Sequence, residues 1–264
     1  PRLEQPELGF LQSSPEFYMK RLLAAGSGSI FYLGKAYRAG EFGPRHYPEF
    51  TLLEWYRIDW DEHQLMSELS ALLAELGVLS VDEKPRKTCY RSVFKEATGI
   101  DPLIAESGEL RRYASEIASR DFSREDRSTC LDLIFSLVVE PALPSGVVFV
   151  HDYPLCQAAL AQTAINESGE KIARRFEVFI DGMELANGYF ELCDAGELRQ
   201  RFMADNVQRR SSGRLEMPLD ERLLGAMVEG FPACAGVALG FDRLLMKLVG
   251  ARHIREVLPF TDLT

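Results

Sequence analysis

Three side chains in the stretch YRAGEFGPRHYPEF, residues 37–50, could bind a polyphosphate. Arg38 ends an apolar run, and Arg45 and His46 follow in a loop that contains two glycines and two prolines. Arginine suits phosphate oxygens because its planar guanidinium forms paired, charge-assisted hydrogen bonds. Phe50, just beyond the loop, could stack on a nucleobase. A solvated loop with incidental charges is the alternative, and the loop alone does not decide between the two.

Three glutamates recur at intervals of seven in RRFEVFIDGMELANGYFE: Glu177, Glu184 and Glu191. An odd interval places two strand residues on opposite faces, but an Asp-Gly turn at 181–182 separates the first two glutamates. Two carboxylates on adjoining strands could then converge on Mg²⁺, which prefers oxygen ligands from carboxylates and phosphates. Asn187 would add a neutral donor or acceptor. Three acids on exposed strand faces are the alternative.

The stretch GVALGFDR places an arginine at the start of a helix. Gly236 and Gly240 would allow a close approach of another backbone or a ligand. Arg243 falls in the first helical turn, where a positive charge opposes the helix dipole. An anion should compensate this charge, either the neighbouring Asp242 or a ligand phosphate.

Composition excludes several classes of protein. The chain has 264 residues and a net charge of −10, which disfavours broad electrostatic binding to nucleic acid. It has no run near the roughly 18 apolar residues of a membrane span and no basic, apolar leader, so we expect no membrane partner. Its five cysteines lie far apart without a CxxC pair, which disfavours a zinc site or disulfide framework and favours a cytoplasmic location.

The elements that position these residues include several predicted strands. IFYLGKAY and FTLLEWY predict an antiparallel pair around the arginine loop. GVVFVHDYP at 146–154 predicts a short buried strand, and two more strands flank the Asp-Gly turn. CAGVALGFDRLLMKLVG at 234–250 predicts a strand that enters a helix at Asp242. With helices inserted between strands, the pattern indicates an α+β fold with an antiparallel sheet flanked by helices.

The predicted helices have recognisable ends. Ser14 as the cap and Pro15 in the first turn predict a helix that stops at Gly26. Apolar spacing predicts another helix at 61–76. Several helices are expected between 88 and 140, and one of them, SREDRSTCLDLIFSLVVEPAL, would be capped by its first serine. DAGELRQRFMADNVQRR and LDERLLGAMVEG predict two surface helices.

Three ordered motifs carry a resemblance to a known family. YRAGEFGPRHYPEF resembles the second signature motif of class II aminoacyl-tRNA synthetases, and GVALGFDR resembles the third. SSPEFYMKRLL, PEFTLLEWY and ELANGYFEL are similar to the lysyl-tRNA synthetase branch, and within it to the elongation factor P lysine ligase family. The resemblance runs from about residue 10 to the C-terminus and implies one catalytic domain over residues 1–264. Motif one, the family's dimer interface, is not found, so we expect missing residues before Pro1 and a homodimer when the protein is full length.

The resemblance implies roles for ATP and Mg²⁺. Arg38 would hold the α-phosphate and Arg243 the opposite side, and these two are the implied catalytic residues. Glu41 would face the adenine end, and Phe50 would stack on adenine. The implied ATP-binding set is Arg38, Ala39, Gly40, Glu41, Arg45, His46, Tyr47, Phe50, Glu184, Leu185, Gly240 and Arg243. Glu177 and Glu184 would hold Mg²⁺.

The resemblance also implies a pocket for lysine or (R)-β-lysine. Its residues would be Ser14, Pro15, Glu16, Glu54, Tyr56, Asn187, Glu191 and Ala238. Ser14 and Glu16 would lie at the α- or β-amino end, whereas Glu54 and Glu191 would receive the ε-ammonium, because a buried cation needs a paired anion. Synthetases have Gly where this chain has Ala238, and the ligases have Ala.

Two positions depart from the family pattern in motif two. The family has Arg-x-Glu, but Gly40 occupies the glutamate position here and Glu41 comes one residue later. Tyr47 replaces the asparagine that precedes proline in the family. We expect the loop to adjust around both.

The implied activity is activation of (R)-β-lysine, or lysine, as an adenylate, followed by transfer to a lysine side chain of elongation factor P, without tRNA. The catalytic domain of a lysyl-tRNA synthetase is one alternative. A catalytically inactive paralog that acts as a binding module is another, and it is disfavoured because the motif arginines and the two metal carboxylates are all present.

Overall fold

A mixed eight-stranded sheet forms the centre of the protein. The computed structural model describes residues 10–79, 84–211 and 213–261. The strands are β1 Ile30–Tyr37, β2 Glu49–Ile58, β3 Arg86–Cys89, β4 Val147–Pro154, β5 Thr163–Ile165, β6 Lys171–Ile180, β7 Met183–Phe190 and β8 Cys234–Gly240. Their order is β1-β2-β8-β7-β6-β4-β3, and β5 pairs with β6.

Helices lie on both faces of this sheet. They are α1 Glu16–Ala24, α2 Glu62–Glu75, α3 Tyr90–Thr98, α4 Ser107–Ala118, α5 Arg127–Ile134, α6 Glu140–Ala142, α7 Ala195–Ser211, α8 Glu221–Gly230 and α9 Phe241–Val249. Helix α2 covers one face, where Leu65 and Leu69 pack with Trp55, Phe176 and Val237. The described part of the chain holds no helix long and apolar enough to cross a membrane.

On the opposite face, the described residues pack on the sheet at its two ends. At the β1–β2 end, Met19 and Leu23 of α1 pack on Tyr56. At the β3–β4 end, helices α3 to α5 pack on Val148 and Phe179. The middle of this face, formed by β2, β8, β7 and β6, is left as a cleft between the two helical layers.

Strand alternation decides which side chains reach the cleft. Along β2, Glu54 and Tyr56 point into the cleft, and Trp55 between them joins the core under α2. This is the expected period of two for a strand with different surroundings on its two faces. Charged groups therefore face the open side, and apolar groups face the covered side.

The α+β class is confirmed, with corrections to its details. The sheet is not wholly antiparallel, because β3 and β4 pair in parallel. The chain reaches β3 only after α2 has crossed the sheet, and the four residues RKTC carry no strand pattern that predicts it. The 3-residue strand β5 was also not predicted. Helix α5 is capped by Asp126, whose carboxylate accepts from the Thr129 N–H at 2.9 Å, and not by the first serine of the motif SREDRSTCLDLIFSLVVEPAL.

Candidate active site

The loop between β1 and β2 folds back tightly on itself. The N–H of Arg38 donates to the Pro48 carbonyl at 2.8 Å, which closes the base of the loop. Gly43 and His46 form an antiparallel bridge at its tip. The Pro44 carbonyl accepts from the N–H of Ile254 at 2.7 Å, which ties the tip to the C-terminal segment. The loop is therefore an ordered element, held at both ends.

Gly40, which occupies the glutamate position of motif two, lies in a tight turn of the loop. Its φ of +81° lies in the left-handed region, where a side chain would be strained. The turn that results brings the carboxylate of Glu41 to 4.0 Å from the guanidinium of Arg38. Glu41, which comes one residue later than the glutamate of the family pattern, therefore lies near Arg38. This is the position expected if the loop adjusts around Gly40. The Arg38 guanidinium also lies over the ring of Phe50, 5.1 Å from its centroid.

Arg243 joins the hairpin loop to β7. Its guanidinium donates to the Glu184 carbonyl at 2.9 Å, lies 3.3 Å from the Glu184 carboxylate, and donates to the Arg45 carbonyl at 3.2 Å. It also lies 2.7 Å from Nε2 of His46. Burial and the positive charge of Arg243 lower the pKa of His46. His46 is therefore a neutral imidazole near pH 7.

Asp242 does not balance the positive charge of Arg243, which was one of the two possibilities that the sequence indicated. Its carboxylate accepts from the backbone N–H of Thr51 at 2.6 Å and so anchors β2. Arg45, the third cation, donates to the Gly182 carbonyl at 2.7 Å across the cleft. Arg45 of the loop thus contacts the β6–β7 turn, and Arg243 of α9 contacts β7.

A β-bulge explains how Glu184 and Asn187, three residues apart in β7, share a face. Glu177 pairs with Asn187, but two residues further along β6 Phe179 pairs with Glu184, so Leu185 is an extra residue in β7. The two-residue turn brings Glu177 and Glu184 to one face, as predicted. The bulge then places Asn187 on that same face, three residues beyond Glu184.

Glu177 and Glu184, the two carboxylates predicted to hold Mg²⁺, lie on one face of the sheet at the edge of the cleft. Burial and the charge of Glu184 raise the pKa of Glu177 to about 7, although Arg175 lowers it. The guanidinium of Arg175 lies 2.5 Å from Glu177 and donates to the Asn187 side-chain oxygen at 3.3 Å. In the described ranges no group of three or more His, Cys, Asp or Glu side chains could hold a metal ion by itself. Two carboxylates fit Mg²⁺ if phosphate oxygens complete its coordination.

Carboxylates form the deep end of the cleft. Glu54 is 2 % exposed, and its two oxygens accept hydrogen bonds from Tyr56 at 2.7 Å and from Ser14 at 2.9 Å. Ser14 also accepts from the Glu16 N–H at 3.0 Å, which orients the start of α1. Burial, with a smaller contribution from Glu16, raises the pKa of Glu54 to about 7.

Glu191, just beyond β7, is buried beside an internal lysine. The ammonium of Lys20 lies 2.6 Å from Glu191 and 2.7 Å from Glu16. Burial raises the pKa of Glu191 to about 8, although Lys20 lowers it. Glu16 and Glu191 together raise the pKa of Lys20 even though its burial acts in the opposite direction. The pocket therefore contains a permanent cation as well as three acids.

Two small residues of β8 leave room for this pocket. A Cβ on Gly236 would lie 2.4 Å from both the Glu191 carboxylate and the Tyr56 ring, so only glycine fits there. Ala238 pairs with Glu54 on one side and Asn187 on the other, and it lines the cleft. Ala238 therefore lies between Glu54 and Asn187 in the sheet.

One cavity of about 400 Å³ brings most of the implied site residues together. Four implied residues do not line this cavity: Pro15, Ala39, Gly40 and Glu177. Glu177 lines an adjoining cavity of about 320 Å³ that shares Arg45, His46, Glu184 and Arg243 with the first. The cleft is therefore continuous from the arginine loop to the buried acids.

Comparison with known proteins gives the family. The family model described as tRNA synthetases class II (D, K and N) matches residues 2–264. The chain belongs to this family. It is 46 % identical over 262 residues to the elongation factor P–(R)-β-lysine ligase of Pasteurella multocida, which is 98 % of this chain and 79 % of that protein.

Two further class II relatives carry the same name. The elongation factor P–(R)-β-lysine ligase of Vibrio cholerae is 48 % identical over 253 residues, 95 % of this chain and 76 % of that protein. The enzyme of Salmonella dublin is 43 % identical over 256 residues, 96 % of this chain and 77 % of that protein. The predicted resemblance to the lysine ligases within the class II synthetases is confirmed.

Sequence reasoning missed three residues of this class II site. Lys20 was treated only as part of the motif SSPEFYMKRLL, although its position four residues after Glu16 on a helix indicates a shared face. Tyr189 lines the cleft two residues after Asn187, and strand alternation from Asn187 indicates this shared face. Arg175, which contacts Glu177, was not singled out, although it lies two residues before that glutamate on one strand.

Proposed function

We propose that this protein activates (R)-β-lysine, or lysine, with ATP and transfers it to a lysine side chain of elongation factor P. The observation that carries the proposal is the continuity of the cleft, from an arginine-bearing loop to a pocket of buried carboxylates. An amino acid with a second amine fits the acidic end, and a triphosphate fits the arginine end. The names of the ligase relatives support the same substrate and acceptor.

In the first step, the carboxylate of the amino acid attacks the α-phosphorus of ATP. A bond forms between the carboxylate oxygen and phosphorus, the bond to the bridging oxygen of the β-phosphate breaks, and pyrophosphate leaves. Arg38 stabilises the charge on the α-phosphate, and Arg243 lies on the other side of the cleft. Positioning and electrostatic stabilisation supply the acceleration, with no covalent intermediate on the protein.

Mg²⁺ bound with the nucleotide would neutralise phosphate charge, and Glu177 and Glu184 are the residues that would hold it. Because they are only two carboxylates, we expect Mg²⁺ to bind tightly only together with ATP. Calorimetry with MgCl₂, with and without a non-hydrolysable ATP analogue, tests this. Tight Mg²⁺ binding without nucleotide would contradict it.

In the second step, the ε-amine of the acceptor lysine attacks the carbonyl carbon of the adenylate. An amide bond forms, AMP leaves, and the amine loses a proton. The attacking amine must be uncharged, so transfer should accelerate as the pH rises from neutral until another step limits the rate. The chain's net charge of −10 supports a protein acceptor over tRNA.

The experiment that tests the function supplies labelled lysine or (R)-β-lysine, ATP, elongation factor P and tRNA together. We expect label on the protein and pyrophosphate release that depends on a diamino acid. Label on tRNA alone would support a synthetase instead. Absence of pyrophosphate exchange with every amino acid would leave only a binding role. A homodimer of the full-length protein remains a separate prediction, which sedimentation analysis would test.

A further inference from the structure

Lys20 is a buried cation to which the activation chemistry gives no role. It lies on α1, its residue is 1 % exposed, and its ammonium bridges Glu16 at 2.7 Å and Glu191 at 2.6 Å. A buried ammonium is unfavourable unless it is paired, so its position must be compensated by these two acids. Both acids are also lining residues of the proposed lysine pocket.

The other titratable groups around Lys20 carry no positive charge. Glu54 faces it from β2, and the phenols of Tyr56 and Tyr189 have pKa values raised by burial, so they are neutral. Cys193 and Cys234 are thiols whose pKa values are also raised by burial. Lys20 is thus the cation among the described groups that surround the three glutamates.

The net charge of the amino acid pocket follows from its four ionisable side chains. Three carboxylates, from Glu16, Glu54 and Glu191, and one ammonium, from Lys20, leave two negative charges when every acid is ionised. Lysine and (R)-β-lysine each bring two ammonium groups. The pocket and the two ammonium groups of a diamino acid would therefore neutralise each other, while the substrate carboxylate would point toward the arginine end. An amino acid with one ammonium would leave a buried charge of the pocket unpaired.

We propose that Lys20 is a positioning residue that sets the charge of the amino acid pocket to match a substrate with two ammonium groups. This rests on the proposed function. Lys20 holds Glu16 and Glu191 at fixed positions and favours the ionised form of Glu191, so that each can meet a substrate ammonium. Without Lys20, three neighbouring carboxylates would have no internal cation, and one of them would keep a proton. A protonated carboxyl does not pair with an ammonium, so lysine could bind only after releasing an additional proton.

The test measures lysine binding and proton release by calorimetry, between pH 6 and 9, in buffers of different ionisation enthalpy. For Lys20→Met we expect more protons released per lysine bound than for the wild type at pH 7. Its lysine affinity should fall roughly tenfold at that pH for each unit by which the glutamate pKa rises. The loss should shrink toward pH 9, and affinity for an ATP analogue should not change. Arg174→Met, which breaks the buried pair with Glu62 at the far side of the sheet, is the matched control and should leave the proton count unchanged.

A double variant, Lys20→Met with Glu16→Gln, separates charge from packing. It removes one positive and one negative charge, so its proton count should return to the wild-type value even though a substrate contact is lost. If Lys20→Met does not fold, the double variant should restore folding. An unchanged proton count in Lys20→Met, or failure of both variants to fold, would overturn the role of Lys20. If the wild type binds neither lysine nor (R)-β-lysine, the proposed function fails with it.

Discussion

The two ends of the cleft are built in opposite ways. At the arginine end, the side chains of Arg38 and Arg45 are each 44 % exposed, and their contacts are long or reach backbone carbonyls. At the acidic end, Glu54 and Glu191 are almost fully buried and already have hydrogen-bonding or ionic partners. The arginine end would gain its charged partner from a ligand, whereas the acidic end already has its polar groups arranged.

This difference follows from where each end lies in the fold. The arginines lie on a loop that projects beyond the sheet, where solvent screens their charges. The acids lie on central strands beneath α1, where a low dielectric makes every unpaired charge costly. Mutations at the arginine end should therefore affect the chemical step, and mutations at the acidic end should affect binding and protonation.

The largest expected effect is at the arginine end. Arg38→Ala should reduce adenylate formation roughly 10²–10³-fold, because charge that develops on the α-phosphate loses its compensation. ATP–pyrophosphate exchange in the full-length protein measures it. Arg199→Ala removes a guanidinium that pairs with Glu221 on the surface and should leave exchange unchanged. Normal exchange in Arg38→Ala would remove the ATP role from this loop.

At the acidic end, Glu191→Gln should weaken lysine binding on the order of 10²-fold, because it removes one partner of a buried charge pair. The KM for ATP should stay within about twofold, since the arginine end is untouched. Glu68→Gln, which breaks a pair with Arg57 on the α2 side, is the control. Equal losses in both KM values would mean that the two ends are not independent.

The stability of the ligand-free protein should fall as pH rises from about 4.5 to about 8. The folded-state pKa values of Glu54 and Glu191, about 7 and about 8, lie above the ordinary glutamate value. Their contribution to stability is therefore complete below the unfolded pKa and is lost as pH rises through the folded values. Lysine should restore stability most strongly at the alkaline end. Thermal unfolding measures this, at roughly 2–4 °C per kcal/mol for a chain of this size.

The smallest effect is expected at Ala238, between the two ends. Ala238→Gly should shift the substrate preference from (R)-β-lysine toward α-lysine. The change in relative activation free energy should be that of one methyl group in a pocket, near the lower end of roughly 1–3 kcal/mol. Pyrophosphate exchange with both amino acids, side by side, gives the ratio. An unchanged ratio would show that the methyl does not set the position of the amino group.

Local patterns predicted much of this arrangement. The structure confirms three predicted features: the strands around the arginine loop, the Asp-Gly turn and the strand that leads into α9. Each of them depends on residues that are close together in the sequence. The contents of the cleft were predicted from motifs, although the ligand roles of its residues remain predictions.

The features that could not be predicted depend on contacts between residues that are far apart in the sequence. The extra residue Leu185 is visible only in the register of β7 against β6. The parallel strand β3 joins its neighbour β4 across a long stretch of chain. Lys20 has its charge partners at Glu16, four residues away, and at Glu191, which is remote in sequence. Only the near partner can be inferred from helical spacing.

The bulge at Leu185 limits how the length of β7 can vary. Removing that residue would restore strict alternation, and Asn187, Tyr189 and Glu191 would then turn from the cleft toward the layer under α2. Such a deletion would exchange polar for apolar side chains on both faces of the strand. A single-residue insertion or deletion between Glu184 and Asn187 would therefore have to be matched by a second one nearby.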